Sequence, residues 1–305
     1  ADLPGVCCLR RFADAEAIKR YARGGGPVAI VGGGPVAVKS LEALAARKRE
    51  LHLLISSDRI LSQMLDRTAS DLLRRACERH GVRLHFHTDV AAFEGRGRLE
   101  EIVLSDGSRI PCGLAIVGKG VDPSVACLAG TGVRLGQGVV VDGRMQSSLP
   151  DVYAAGDVAE PLEVLRQRNL PSPIWPSASE GGRVAGLNMA GVPATFSGSL
   201  RMNSVELLGL RVISAGLREG DGQAVRLDPE GPVYRKLVFA DGRLRGFLLL
   251  GDIRCAGVLT ALLKSRSEVS AQALAADLER GFSYRPRLYT LGGSVRSREF
   301  GGRGN

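Results

Sequence analysis

Residues 27–37 read PVAIVGGGPVA, and no other stretch limits the fold so tightly. The run at 27–31 is short, apolar and β-branched, as a buried parallel strand requires. Gly32, Gly33, Gly34, Pro35, Val36 and Ala37 follow as a G-x-G-x-x-A match. Ala37, Leu41, Leu44 and Ala45 then recur at helical spacing, and residues 51–55 read as a second strand. Each motif position has a physical reason. Gly32 permits a tight turn out of the strand. Gly34 lets the backbone approach a diphosphate that a side chain would block. Ala37 lets the helix pack closely on the strand. The helix start offers unpaired N–H groups and a partial positive charge to an anion. Glycines alone could mark a turn with no ligand. Their place between a strand and a helix, with a second strand at the right distance, favours a bound dinucleotide.

An acidic residue usually follows about 20 positions on, to bond a ribose 2′-hydroxyl. Here the second strand ends in Ser56 and Ser57, with Asp58 and Arg59 slightly late. Serines bond a hydroxyl or a phosphate, and Arg59 suits a 2′-phosphate, so NADH and NADPH both stay open. Residues 69–80 read as a helix with Leu72, Leu73 and Ala76 inward and Gly81 as its stop. Residues 82–87 read as a third strand, which would set His85 and His87 on one face. No further ligands group near them, so polar surface is expected there, and no metal site. Residues 98–112 read as a hairpin turning at Asp106 and Gly107. Residues 114–117 form another buried strand, ending at Gly118, Lys119 and Gly120.

Composition narrows the class. A length of 305 residues suits two or three domains. No apolar run reaches the roughly 18 residues that a membrane helix needs, and the first residues do not read as a secretory signal. The net charge of +9 would suit nucleic acid, but the basic residues are scattered and aromatics are only 5%. A basic surface equally suits an anionic dinucleotide, so no nucleic-acid partner is expected. Cys7, Cys8, Cys77, Cys112, Cys127 and Cys255 make no C-x-x-C pair, so zinc gains no support. Reduced thiols in a cytoplasmic protein are expected.

Residues 148–157 read SLPDVYAAGD. This resembles the second flavin signature of the pyridine nucleotide-disulfide oxidoreductase superfamily, T/S-x-P-D-I/V-Y-A-x-G-D. The resemblance implies that Asp157 bonds the ribitol of FAD and that Gly156 gives the flavin backbone access. The glycine unit at 32–37 stands where the family carries its NAD(P) domain, and Gly118 to Pro123 resembles the stretch linking it back to the FAD domain. Residues 174–191, IWPSASEGGRVAGLNMAG, resemble the flavin-flanking helix of the branch with NADH oxidases, rubredoxin reductases and the nitrite reductase large subunit. That implies Trp175 and Ala178 near the flavin, with the helix N-terminus stabilising the reduced, anionic form. On its own, Trp175 could equally be a packed core aromatic.

The implied fold is α/β: a Rossmann-like NAD(P)-binding domain at 26–117 inserted in an incomplete FAD-binding domain at 1–25 and 118–193. A small α+β interface domain at 194–285 would follow, its segment at 199–217 strand-like, residues 233–252 reading as two strands joined by a turn at Asp241 and Gly242, and residues 256–263 as a helix. Residues 286–305 are expected to be a flexible tail. The implied function is an FAD-dependent NAD(P)H oxidoreductase with an unidentified acceptor, small molecule or redox protein, and a homodimeric assembly. Three departures stand out. No G-x-G-x-x-G precedes Gly32, so the start of the FAD domain and its C-x-x-x-x-C are expected to lie outside this sequence. Lys39 replaces the Glu that many members place near the nicotinamide. Pro35 replaces a frequent aromatic or aliphatic residue. No side chain is singled out as acid or base. A non-catalytic or split-subunit dinucleotide-binding module is the alternative.

Overall fold

The structure is a computed structural model and describes residues 3–279 apart from 48, 229 and 230. The chain begins with β1 (Val6–Cys8), α1 (Phe12–Tyr21), β2 (Val28–Val31), α2 (Pro35–Ala45), β3 (Leu51–Ile55), α3 (Arg67–Arg79) and β4 (Arg83–Phe86). It continues through β5 (Val90–Glu94), β6 (Glu101–Leu104), β7 (Arg109–Pro111) and β8 (Leu114–Val117). A parallel sheet runs in the order β1-β8-β2-β3-β4. Strands β2 and β3 are wholly buried, which explains their unbroken apolar runs. Pro35 opens α2 with a φ already suited to a helix, and Ala37, Val38, Leu41 and Leu44 bury its inner face. Asp66 caps α3 by accepting from the Ala69 amide at 3.1 Å.

At the start of the chain, β1 pairs with β8 and forms the edge of the nucleotide-binding sheet. Three residues are too few to show a strand period, so the sequence carried no sign of this pairing. The hairpin at 98–112 is also larger than its pattern suggested. It is a three-stranded antiparallel sheet, with β5 joined to β6 and β7. Its Ile102, Leu104 and Ile110 pack with Leu99 on Ala29, Leu54 and Ala115 of the parallel sheet. His87 is not on a strand face with His85. It lies past the end of β4 at φ 52°, while His85 stacks on His52 with ring nitrogens 3.0 Å apart.

Residues 118–200 hold short pieces: β9 (Val139–Val140), β10 (Ala159–Glu160), β11 (Leu162–Glu163), β12 (Arg168–Asn169) and α4 (Trp175–Met189). Val139, Val141, Met145, Val184 and Phe196 form a small core of their own. The last sheet is antiparallel, made of β13 (Met202–Leu207), β14 (Leu210–Gly216), β15 (Gly222–Leu227), β16 (Tyr234–Ala240) and β17 (Arg243–Leu250), in the order β13-β14-β17-β16-β15. Its strands alternate. Phe247 and Leu249 face α5 (Ala256–Ser265) and α6 (Ala271–Glu279), with Leu259, Leu263 and Leu274. Leu248 and Leu250, with Val205, Leu207, Val212 and Tyr234, join the core of the nucleotide-binding unit. The C-terminal sheet and the nucleotide-binding unit therefore share apolar packing. The tail expected at 286–305 lies outside the described residues. Among the described residues, no helix is long and apolar enough to cross a membrane.

Candidate functional site

In an open parallel sheet, ligands sit beyond the carboxyl ends of the strands, where the strand order reverses. Here that place is the end of β2 and β8, occupied by Gly32 and Gly118. Gly32 has φ +124°, and a Cβ on it would overlap the Gly118 carbonyl oxygen. A Cβ on Gly33 would stand 3.0 Å from Ile55 Cγ2, and one on Gly118 would stand 3.1 Å from the Ala37 amide nitrogen. These glycines are required by the protein's own backbone and packing. Gly34 is different. Its φ is −87°, which any residue adopts, and a Cβ there would meet no atom of the described residues within 4 Å. Neither strain nor crowding among the described residues demands a glycine at 34, and the space beside it is open.

That clearance opens onto the start of α2. Val38 donates to the Gly34 carbonyl at 3.0 Å, the first intrahelical bond. The amides of Val36 and Ala37 precede it, and Pro35 has no N–H to offer. Val36 is partly exposed beside them and Ala37 is fully buried. The donor set suits the diphosphate of a dinucleotide, since amides at a helix N-terminus stabilise negative charge.

The turn after β3 lies against the same loop. Leu61 donates to the Gly33 carbonyl at 2.8 Å, and the Arg59 carbonyl would lie 3.7 Å from a Cβ on Gly33. Ser56 is exposed, and the Ser57 hydroxyl donates to the Arg59 carbonyl at 3.0 Å. Asp58 Oδ2 accepts from Arg59 at 3.0 Å and from Arg67 at 2.9 Å. Sequence reasoning missed Arg67. Its signal was present, because a cation in the first turn of a helix opposes the helix dipole. Gly120 adopts φ +104° in open space, and its neighbour Lys119 is paired with Asp89. Lys39 pairs with Glu42 and donates to the Glu206 carbonyl of β13.

A second group of expected residues meets at α4. Gly156 has φ +78° and begins a single helical turn with the exposed Asp157. Among the described residues, a Cβ on Gly156 would have only Ala178 within 4 Å, at 3.9 Å. Trp175, the first residue of α4, is 85% exposed, so it is not a packed core aromatic. Gly181 in α4 leaves room for Met145 and Ala155, which holds the helix against the 145–156 segment. An exposed carboxylate, an open glycine backbone and a helix N-terminus are thus brought together. They fit the ribitol and ring of a flavin.

The six cysteines are free. Burial pushes the Cys77 and Cys112 thiols up to about 12 and Cys255 up to about 11. These three are poor nucleophiles at neutral pH.

The family model for pyridine nucleotide-disulphide oxidoreductases matches residues 1–182, more than half the chain. The chain belongs to this family. Within it, the chain is 28% identical to the assimilatory nitrate reductase electron transfer subunit of Bacillus subtilis, over 87% of this chain and 34% of that one. It is 31% identical to the ferredoxin–NAD(+) reductase component of the biphenyl dioxygenase system of Paraburkholderia xenovorans, over 90% of this chain and 67% of that one. Among solved structures, an NAD-dependent persulfide reductase from A. fulgidus aligns with TM-score 0.80 and 23% identity, over 87% of this chain and 53% of that chain. The oxidoreductase fold is therefore shared with proteins of which this chain spans between a third and two thirds.

Proposed function

We propose that this chain forms the NAD(P)H-binding unit and part of the flavin site of an FAD-dependent NAD(P)H oxidoreductase. The observation that carries the reading is Gly34, which neither its φ nor its neighbours require to be glycine, at the mouth of the α2 amides. Val36 and Ala37 amides would hold the dinucleotide diphosphate. Ser56, Ser57 and Arg59 would meet the adenosine ribose. Gly118 and Gly120 would line the path toward the flavin side. When bound, the nicotinamide and the flavin supply hydride and electron transfer between them. The protein's part is to bind and orient. Asp157 would accept from the ribitol, Gly156 would give the ring backbone access, Trp175 and Ala178 would lie beside it, and the start of α4 would favour the anionic form.

The acceptor is either a small molecule or a redox protein, and the resemblance to a ferredoxin–NAD(+) reductase component supports the second class. A homodimer through the C-terminal sheet fits its edge strand β15, where Val225 and Leu227 are exposed. The free thiols fit a reducing, cytoplasmic setting. Anaerobic mixing of the FAD-loaded protein with NADPH or NADH tests the reading. Loss of the oxidised-flavin absorbance is the expected result. Dinucleotide binding with no flavin reduction would leave only a binding module.

A further inference from the structure

We infer that the nucleotide site selects NADPH over NADH by taking the 2′-phosphate between Ser56 and Arg67. This selection rests on the dinucleotide reading of the same site. A site for NADH needs a carboxylate at the end of β3 to accept from the ribose 2′-hydroxyl. That carboxylate also repels a 2′-phosphate. At the end of β3 stands Ser56, exposed and uncharged, which donates to a phosphate as readily as it accepts from a hydroxyl.

The nearest carboxylate, Asp58, does not replace it. Its Oδ2 already accepts from Arg59 and Arg67, at 3.0 and 2.9 Å. Two guanidinium charges therefore stand against one carboxylate at this turn. The surplus favours an anion. Arg59 is held in place, with its Nε buried among protein atoms. Arg67 has the reach to leave Asp58, because its side chain is 75% exposed. It also starts α3, where a cation is disfavoured by the helix dipole unless an anion is near.

The turn sits at the right place in the molecule. The Leu61 amide bonds Gly33, so the 56–61 segment lies directly beside the diphosphate loop. The adenosine ribose of a dinucleotide bridges those two features.

Titration calorimetry with adenosine 2′,5′-bisphosphate and with 5′-AMP, and fluorescence titration with NADPH and NADH, tests the selection. The 2′-phosphorylated member of each pair is expected to bind about tenfold or more tightly. The advantage should shrink as salt is raised. Ser56→Asp should abolish the advantage, and Arg67→Ala should reduce it severalfold. Both positions are exposed, so neither variant should disturb folding. Equal binding, or tighter binding of NADH, would overturn the selection and leave the dinucleotide site standing. Failure of all four ligands to bind would remove the site itself and the selection with it.

Discussion

Gly118 at the end of β8 and Ala37 in the first turn of α2 meet backbone to backbone, so closely that a Cβ on Gly118 would lie 3.1 Å from the Ala37 amide nitrogen. This contact fixes where the helix begins relative to the sheet. It separates the glycines of the loop into two kinds, those the fold requires and one that the fold does not.

The two kinds should respond differently to substitution. Gly118→Val crowds the start of α2 and should cost about 1–3 kcal/mol of stability through overpacking, along with dinucleotide affinity. Gly34→Ala adds a methyl group where no atom of the described residues lies within 4 Å and φ is ordinary. It should leave the melting temperature unchanged while weakening NAD(P)H binding about tenfold. Thermal melts and fluorescence titrations on both variants measure this contrast.

Asp157 is exposed beside Gly156. Asp157→Ala should therefore leave folding intact and cost FAD affinity by about 1.5–3 kcal/mol, as expected for a hydrogen bond to a charged group. Equilibrium dialysis against FAD gives the value. Unchanged retention would remove Asp157 from the flavin site.

The His52 and His85 pair gives the fold an acid sensitivity. Burial holds both imidazoles below their ordinary value. For His52 the bond to Glu50 opposes this, and for His85 the neighbouring His52 adds to it. Arg83 lowers both, and Asp106 raises His85. The folded state therefore binds fewer protons than the unfolded chain. The contribution to stability is complete above the unfolded value of about 6.5 and is lost as pH falls below it. Melting temperature should fall between about pH 7 and about pH 5. The fall should be smaller in His85→Gln. A wild-type profile that is flat across that window would contradict this.

Much of this architecture was legible because the residues concerned have local reasons. The glycine loop, the strands at 28–31, 51–55 and 114–117, and the hairpin across Asp241 and Gly242 all follow from apolar runs and turn residues. What stayed hidden depends on distant partners. Val6, Cys7 and Cys8 are a strand only because β8 is there to pair with them. His52 and His85 lie on neighbouring strands, and no spacing rule links positions so far apart. Ser56 and Arg59 could be read from the sequence as ribose contacts. The role proposed for Arg67 required seeing it share Asp58 with Arg59.

The shared core between the nucleotide-binding unit and the C-terminal sheet has its own test. Asp66 caps α3 through Oδ1, and its Oδ2 accepts from Tyr234 at 2.8 Å and pairs with Lys236 at 3.4 Å. Asp66→Ala should cost about 2–3 kcal/mol, since a cap and a hydrogen bond are lost together. Tyr234→Phe should cost about 1 kcal/mol. Because the core is continuous across both units, denaturant unfolding should be a single transition. Separate transitions for the two units would contradict a shared core.

Backbone amide NMR during titration with ADP-ribose, which carries the diphosphate without the nicotinamide, addresses the α2 site most directly. The resonances of Gly34, Val36 and Ala37 should move first and furthest. Saturable binding that leaves those three amides unmoved, or no binding at all, would contradict it.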